Sequence, residues 1–501
     1  MPAIEVLYVQ SLISRKGKDL QQELLFFLRI ANLGYEKKIR IQWAGKNRHW
    51  RILGANFHSV ASDGREYWVA QAKFKEAHED KLPGDIEFAV YYRVYENEFW
   101  EDNAGHNYRI KADSGVRLFS QMPLMILGQQ SHLKRNQKYV QIHAAVHESI
   151  DPQKVYLHWT ADQWKTTRQT PLFCRKNYWK KNNDSNAANP NQYGYGIWTT
   201  RLKVGNDFRM EYALACEGIE EIFWDNNVGE NYKASRDPLT ILILNLHCYQ
   251  EKNQNFKLQQ IAKAIQDLDI DIICFQEVAE NWNDGNGDWE SNSAKIIWEH
   301  VGKPYKLYTD FSHLGFDRYR EGVAILSKFP FLAKDSKYIS DSDDIYSIHS
   351  RKVVMGQVEV PGMGVINVFS VHASWWEDGF QNQFENLRAW AKSKHSSEVV
   401  ASFLCGDFNI KAGSEGYAWV RQTQEYGDQY LKATSPDTFA RVFSGQVLDW
   451  KSDLEHDGRI DYIFMENNSL LNVMSGRELF TEQDYGRVSD HIGYLMSFEP
   501  K

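Results

Sequence analysis

Side chains able to do chemistry recur at the ends of apolar runs in the second half of the chain. Asn245 and His247 stand at the close of the run 241–246, Gln276 and Glu277 follow 270–275, and Glu321 precedes 323–326. His372 follows 365–371, Asp407 and Asn409 follow 399–404, Arg459 and Asp461 flank the start of 460–464, and Ser489, Asp490 and His491 come last. Carboxylates, amides and imidazoles are the groups that hold a hard cation, move a proton and donate to an anion. A strand end presents such groups in fixed geometry. Singly, each has a bland reading: Glu321 as a solvated cap, either His as a satisfied core or surface residue, and Gly406 to Asn409 as a turn.

The elements that position them follow from periodicity. Run 241–246 leads into helical spacing at Leu258, Ile261, Ala262, Ile265 and Leu268, then into the second apolar strand at 270–275. Later strands at 323–326, 353–360, 365–371, 399–404 and 460–464 are joined by hairpin-like turns as well as helices. Two mixed sheets packed face to face, with helices outside, accommodate that order. The first part of the chain reads differently, as short alternating strands such as 39–43 and 86–94 between Gly, Asp and Asn turns.

That first part repeats. Phe99-Trp100-Glu101-Asp102-Asn103-Ala104-Gly105-His106-Asn107-Tyr108 returns as Phe223-Trp224-Asp225-Asn226-Asn227-Val228-Gly229-Glu230-Asn231-Tyr232, about 124 residues on. Segments 39–43 and 155–159 repeat about 116 apart, and the polar stretch 182–192 accommodates the extra loop. Two tandem β-sandwich modules are expected. The aromatic Asn-rich strings resemble the starch- and glycogen-binding carbohydrate modules. Trp100 and Trp224 would cover the apolar side of a glucose ring, and Asn103 and Asn227 would bond its hydroxyls. Alternatively the Trp residues are core and the Asn residues cap a turn.

The order of the polar strings in the second half (N-x-H, F-Q-E, E-G-V-A-I-L-S, S-V-H-A-S, G-D-F-N, R-I-D-Y-I-F and S-D-H) resembles the endonuclease/exonuclease/phosphatase superfamily. The expected fold is multidomain: all-β sandwich modules over 1–126 and 127–236, then a four-layer αββα deoxyribonuclease I-like sandwich over 237–501. The resemblance and the chemistry together imply a metal site at Glu277, with Asn245 and Asp490 completing or flanking it. Oxygen ligands favour Mg²⁺, with Mn²⁺ the alternative. Asp407 orients or deprotonates the attacking water, Asn409 donates to phosphate, and His372 and His491 are cationic donors held by Glu321 and Asp461. His247 departs from the acidic or other polar residue that many nuclease members carry there. Trp375 and Trp376 follow His372 and offer a sugar-stacking plate beside the phosphate, or a core pair.

Charge narrows the substrate. Residues 241–501 hold about 25 Lys and Arg against about 38 Asp and Glu, roughly −13 against the chain's −8, which leaves the first 240 residues near +5. An acidic second half opposes a nucleic-acid groove. Neither a signal segment nor a long apolar run is read from the sequence, and five unpaired-looking Cys fit a reducing compartment, so a cytoplasmic protein without a membrane partner is expected. Modules of starch-binding type before such a domain resemble the bacterial maltose 6'-phosphate phosphatases. The substrate implied is a small phosphorylated sugar, with an α-glucan at the modules. A nuclease, or a glycogen-tethered protein with a degenerate catalytic domain, is the alternative, and the oligomeric state is left open.

Overall fold

Alternation decides the N-terminal part. In strand Lys37–Ala44, Ile39, Ile41 and Trp43 are buried while Arg40 and Gln42 are partly exposed, as one face against a core requires. A computed structural model describes residues 2–17, 19–61, 63–120, 122–283, 285–444, 450–454 and 456–501. The chain divides into two units, Met1–Asp237 and Pro238–Lys501.

The first unit holds two sandwiches. One sheet runs in the order Gly115–Leu118, Ile4–Lys16, Asp19–Ile30, Glu66–Glu76, Asn56–Val60, and another in the order Trp50–Gly54, Lys37–Ala44, Ile86–Val94, Asn97–Glu101. Phe26, Leu28, Ile41, Phe88 and Tyr92 are part of the core they share. The second sandwich pairs a sheet centred on Tyr139–His147 and Tyr195–Lys203 with one centred on Lys154–Thr160 and Arg209–Glu217. A further buried cluster joins the two sandwiches: Leu7, Tyr8, Phe27 and Tyr67 with Met125, Ala145, Trp179 and Ile197.

The second unit has the four layers expected. One sheet runs Lys306–Gly315, Tyr319–Ser327, Ile272–Asn283, Leu239–Asn245, Gly493–Pro500, Leu471–Leu479. The other runs Phe331–Tyr338, Lys352–Val360, Gly364–His372, Val399–Asp407, Asp461–Glu466, Tyr426–Asp428. Strand Leu239–Asn245 is apolar on both faces because both are covered. Leu242 and Leu244 pack with helices Gln254–Asp267 and Ser293–Val301, while Leu239, Ile241 and Ile243 enter the core between the sheets. Helix Phe380–Ser393 covers the outer face of the second sheet through Phe380, Phe384, Leu387 and Trp390. Each such side chain removed from water contributes about 1.5–3 kcal/mol.

Candidate active site

Strand pairing sets the site. In the second sheet His372 lies opposite Asp407, and Asp407 opposite Asp461, so three chemical groups form one row at the strand ends. In the first sheet Asn245 pairs with Gln276, and the ladder to Tyr319–Ser327 shifts register between Phe275 and Val278. That bulge re-aims Glu277, which has φ +48°. Asn409 (φ +52°) and His247 (φ +46°) are also left-handed, a clustering of backbone strain that marks functional positions. The sheets approach closely here. A Cβ on Gly406 (φ +140°) would lie 2.2 Å from the Val371 carbonyl oxygen and 2.6 Å from Gln276 Nε2.

Asp407 Oδ2 is the hub. It accepts from Asn245 Nδ2 at 3.1 Å and lies 3.8 Å from Nε2 of both His372 and His491. Its other oxygen accepts the Asn409 backbone N–H at 2.8 Å, while Asn409 Nδ2 donates to the Ala373 carbonyl at 3.0 Å. Asn245 Oδ1 accepts the His247 N–H at 3.0 Å, which orients the amide so that Nδ2 also donates to Glu277 Oε1 at 2.8 Å. Asn245 therefore bridges two carboxylates through its NH₂, a different arrangement from the metal ligand expected.

The two imidazoles are not alike. His491 Nδ1 bonds Asp461 Oδ2 at 2.8 Å. Burial alone would lower the His491 pKa, but the Asp461 hydrogen bond and charge, then Asp407, raise it to about 9. His372 is held well below the ordinary imidazole value by burial and by Arg351. Arg351 Nη1 lies 3.3 Å from His372 Nδ1 and can only donate, so Nδ1 accepts and the proton of the neutral ring is on Nε2. The cationic role expected for His372 is corrected accordingly. Glu321 does not hold it either: the carboxylate is 4.0 Å from His372 Nδ1 and 3.7 Å from His313 Nε2. Arg351, which also bonds Ser374 Oγ at 3.3 Å, was not among the sequence candidates; a single Arg before an apolar strand carries no signal of its own.

Negative charge is crowded. Burial, then the charge of Glu277, pushes Glu321 up to about 8; burial, then Asp461, pushes Asp407 up to about 7. Oxygen atoms of Glu277 and Asp407 lie within 4.8 Å of one another, with His372 Nε2, which carries the ring proton and so offers no lone pair, beside them. Such an anionic, mostly oxygen-bearing group fits a hard divalent cation. Asp490 stands apart from it, exposed and 3.5 Å from His247 Nδ1, which also meets Glu251 at 2.8 Å.

Residues 244–491 match the Endonuclease/Exonuclease/phosphatase family. They form a domain of that family. Residues 8–111 and 124–235 each match the carbohydrate/starch-binding module of family 21, so two starch-binding-type regions precede a phosphoester hydrolase domain. The uncharacterized proteins YbhP of Escherichia coli (strain K12) and Shigella flexneri are 27% identical over 184 residues, covering 34% of this chain and 66% of theirs. The chain thus spans 66% of the length of these curated relatives. Among solved structures, an endonuclease/exonuclease/phosphatase family protein from Leptotrichia buccalis C-1013-b is 25% identical, with TM-score 0.43, covering 52% of this chain and 99% of that one. A mannosyl-6-phosphatase of Bacteroides thetaiotaomicron VPI-5482 is 16% identical, with TM-score 0.37 and coverage of 52% and 99%.

The aromatic candidates separate. In the hydrolase domain Trp375 is exposed, whereas Trp376 packs on the core beneath helix Phe380–Ser393, its ring 6.1 Å from Phe380. In the starch-binding-type regions Trp100 and Trp224 are exposed, beside Tyr91 and His158. Asn103 and Asn227 instead brace their turns, donating to the carbonyls of Asn107 and Asn231 at 3.2 and 3.0 Å. Asn227 is buried and accepts from Tyr67 OH at 2.7 Å, which ties the second turn to the first sandwich. That contact replaces the sugar-hydroxyl role expected for Asn227.

Proposed function

We propose that the chain is a metal-dependent phosphatase of small phosphorylated sugars, with maltose 6'-phosphate its substrate. The observation that carries this reading is the meeting of Asp407 with His372, His491 and Asn245 at 3.1–3.8 Å, in a chain with two starch-binding-type regions. The acidic charge of the hydrolase half favours a small substrate over a polyanion.

Each group then has a task. Asp407, with its proton affinity raised to about 7, accepts the proton of the attacking water. His491, charged near neutral pH, donates to the phosphate and offsets charge that grows in the transition state; His372 donates as a neutral Nε2–H whose tautomer Arg351 fixes. Asn409 is held by the Ala373 carbonyl with its second amide hydrogen available to a phosphate oxygen. Glu277, beside Asp407, would hold Mg²⁺ or Mn²⁺, and the bound ion would neutralise phosphate charge. Water attacks phosphorus in line as Asp407 takes one of its protons, the phosphomonoester P–O bond breaks, and the departing sugar oxygen takes a proton from solvent to leave as the free hydroxyl. A reducing, cytoplasmic setting suits a substrate phosphorylated on entry. Among the described residues no helix is long and apolar enough to cross a membrane.

The test is phosphate release from maltose 6'-phosphate, trehalose 6-phosphate, glucose 6-phosphate and a nucleotide, alongside plasmid nicking, each with Mg²⁺ and with EDTA. Metal-dependent release confined to sugar phosphates supports the reading. Nicking without sugar phosphate turnover replaces it with a nuclease.

A further inference from the structure

Three loops of the hydrolase domain meet beside His372. Leu314 N, entering the hairpin turn 315–318, donates to the Ile345 carbonyl at 2.6 Å. His313 Nδ1 bonds the Ser350 carbonyl at 3.2 Å, and Arg351 Nε reaches Ser374 Oγ at 3.3 Å. The hairpin lies against Glu321, for a Cβ on Gly315 would meet its Oε2 at 3.4 Å. Segment 340–350 is braced from within: Ser350 Oγ donates to the Asp344 carbonyl at 2.7 Å and Ser340 Oγ to that of Ser342 at 2.6 Å.

These braced loops turn large flat side chains outward. Phe316 is 69% exposed, Tyr346 70% and Trp375 47%, one on each loop, with Ile345 and Ile348 also exposed. A core does not account for them. Phe316 moreover holds φ +54°, a conformation costly for a bulky residue and natural for Gly or Asn, so the turn keeps an aromatic ring at the expense of strain. Asp317, Asp343, Asp344 and Asp378 stand exposed among them, with Arg318 the counter-charge on the hairpin.

Aromatic plates with interleaved carboxylates suit one class of ligand. The rings cover the apolar face of a pyranose, and the carboxylates accept from its hydroxyls. The same carboxylates repel a nucleic-acid backbone or an anionic bilayer. We propose that this rim is the subsite for the sugar ring beyond the phosphorylated one, and that it selects a disaccharide phosphate over a monosaccharide phosphate. The assignment rests on the sugar phosphatase reading.

The experiment compares kcat/KM for maltose 6'-phosphate and glucose 6-phosphate in the full chain and in Phe316→Asn, Tyr346→Ala and the double variant. Phe316→Asn relieves the turn while removing the ring, so loss of function cannot be laid to misfolding. The double variant is expected to lose at least tenfold on the disaccharide, chiefly through KM, and at least fivefold less on the monosaccharide; Tyr346→Phe keeps most of the activity. Equal losses on both substrates, or none, overturn the subsite while leaving the phosphatase reading in place. An unsubstituted chain inactive on both sugar phosphates overturns the two together. Binding to phosphatidylserine-containing vesicles that vanishes in the double variant assigns the rim to a membrane instead and also overturns it.

Discussion

His491 Nδ1 stands 2.8 Å from Asp461 Oδ2, and this bond keeps the imidazole charged across neutral pH. Its folded-state pKa, about 9, lies above the unfolded value near 6.5. The stabilisation it brings is therefore full below about pH 6.5 and is lost as pH rises through about 9. Activity should fall along the same upper limb. In Asp461→Asn that limb moves down toward 6.5, and a kcat/KM profile from pH 5 to 10 measures the shift. An unmoved limb would separate His491 from the chemistry.

Arg351 acts through His372. Arg351→Met leaves Nδ1 without its donor and frees the ring to take the other tautomer, so kcat should drop about 10- to 100-fold, some 1.4–2.7 kcal/mol. Arg351→Lys should recover part of the loss. Equal activity in all three proteins would contradict the tautomer assignment made from the 3.3 Å contact.

Gly406 is required by space as well as by φ. Gly406→Ala places a methyl 2.2 Å from the Val371 carbonyl oxygen at a φ of +140°, and should cost at least about 2 kcal/mol. Chemical denaturation of the isolated variant checks this, with activity lost in parallel because the same methyl would stand 2.6 Å from Gln276 Nε2 of the facing sheet, next to Asp407.

The exposed Trp100 and Trp224 should govern glucan retention without governing turnover of a small substrate. Either Trp→Ala change is expected to weaken binding to an insoluble α-glucan about tenfold, near 1.4 kcal/mol. Retention unchanged in both single variants and in the double would show that these rings serve only structure.

Much of this fold was legible because its signals are local. Covered strands such as Leu239–Asn245 read as unbroken apolar runs, and the repeated aromatic string marks two similar modules without any tertiary contact. The polar residues at strand ends were legible for the same reason, as breaks in those runs. What escaped is pairwise. Which carboxylate meets which imidazole depends on side-chain direction across two sheets, so Arg351 rather than Glu321 sits on His372 Nδ1. Trp375 and Trp376 are adjacent in sequence, yet one faces water and one faces helix Phe380–Ser393; a two-residue aromatic pair has no period from which to read that.

The most direct measurement is metal-dependent phosphate release from maltose 6'-phosphate by the unsubstituted chain and by Asp407→Asn, with circular dichroism showing both folded. Asparagine keeps the shape of the hub but cannot take a proton. A proton-accepting role for Asp407 requires Mg²⁺-dependent, EDTA-sensitive turnover in the first and a kcat lower by about 10²–10⁴ in the second. Turnover in Asp407→Asn within a few-fold of the unsubstituted chain would contradict it.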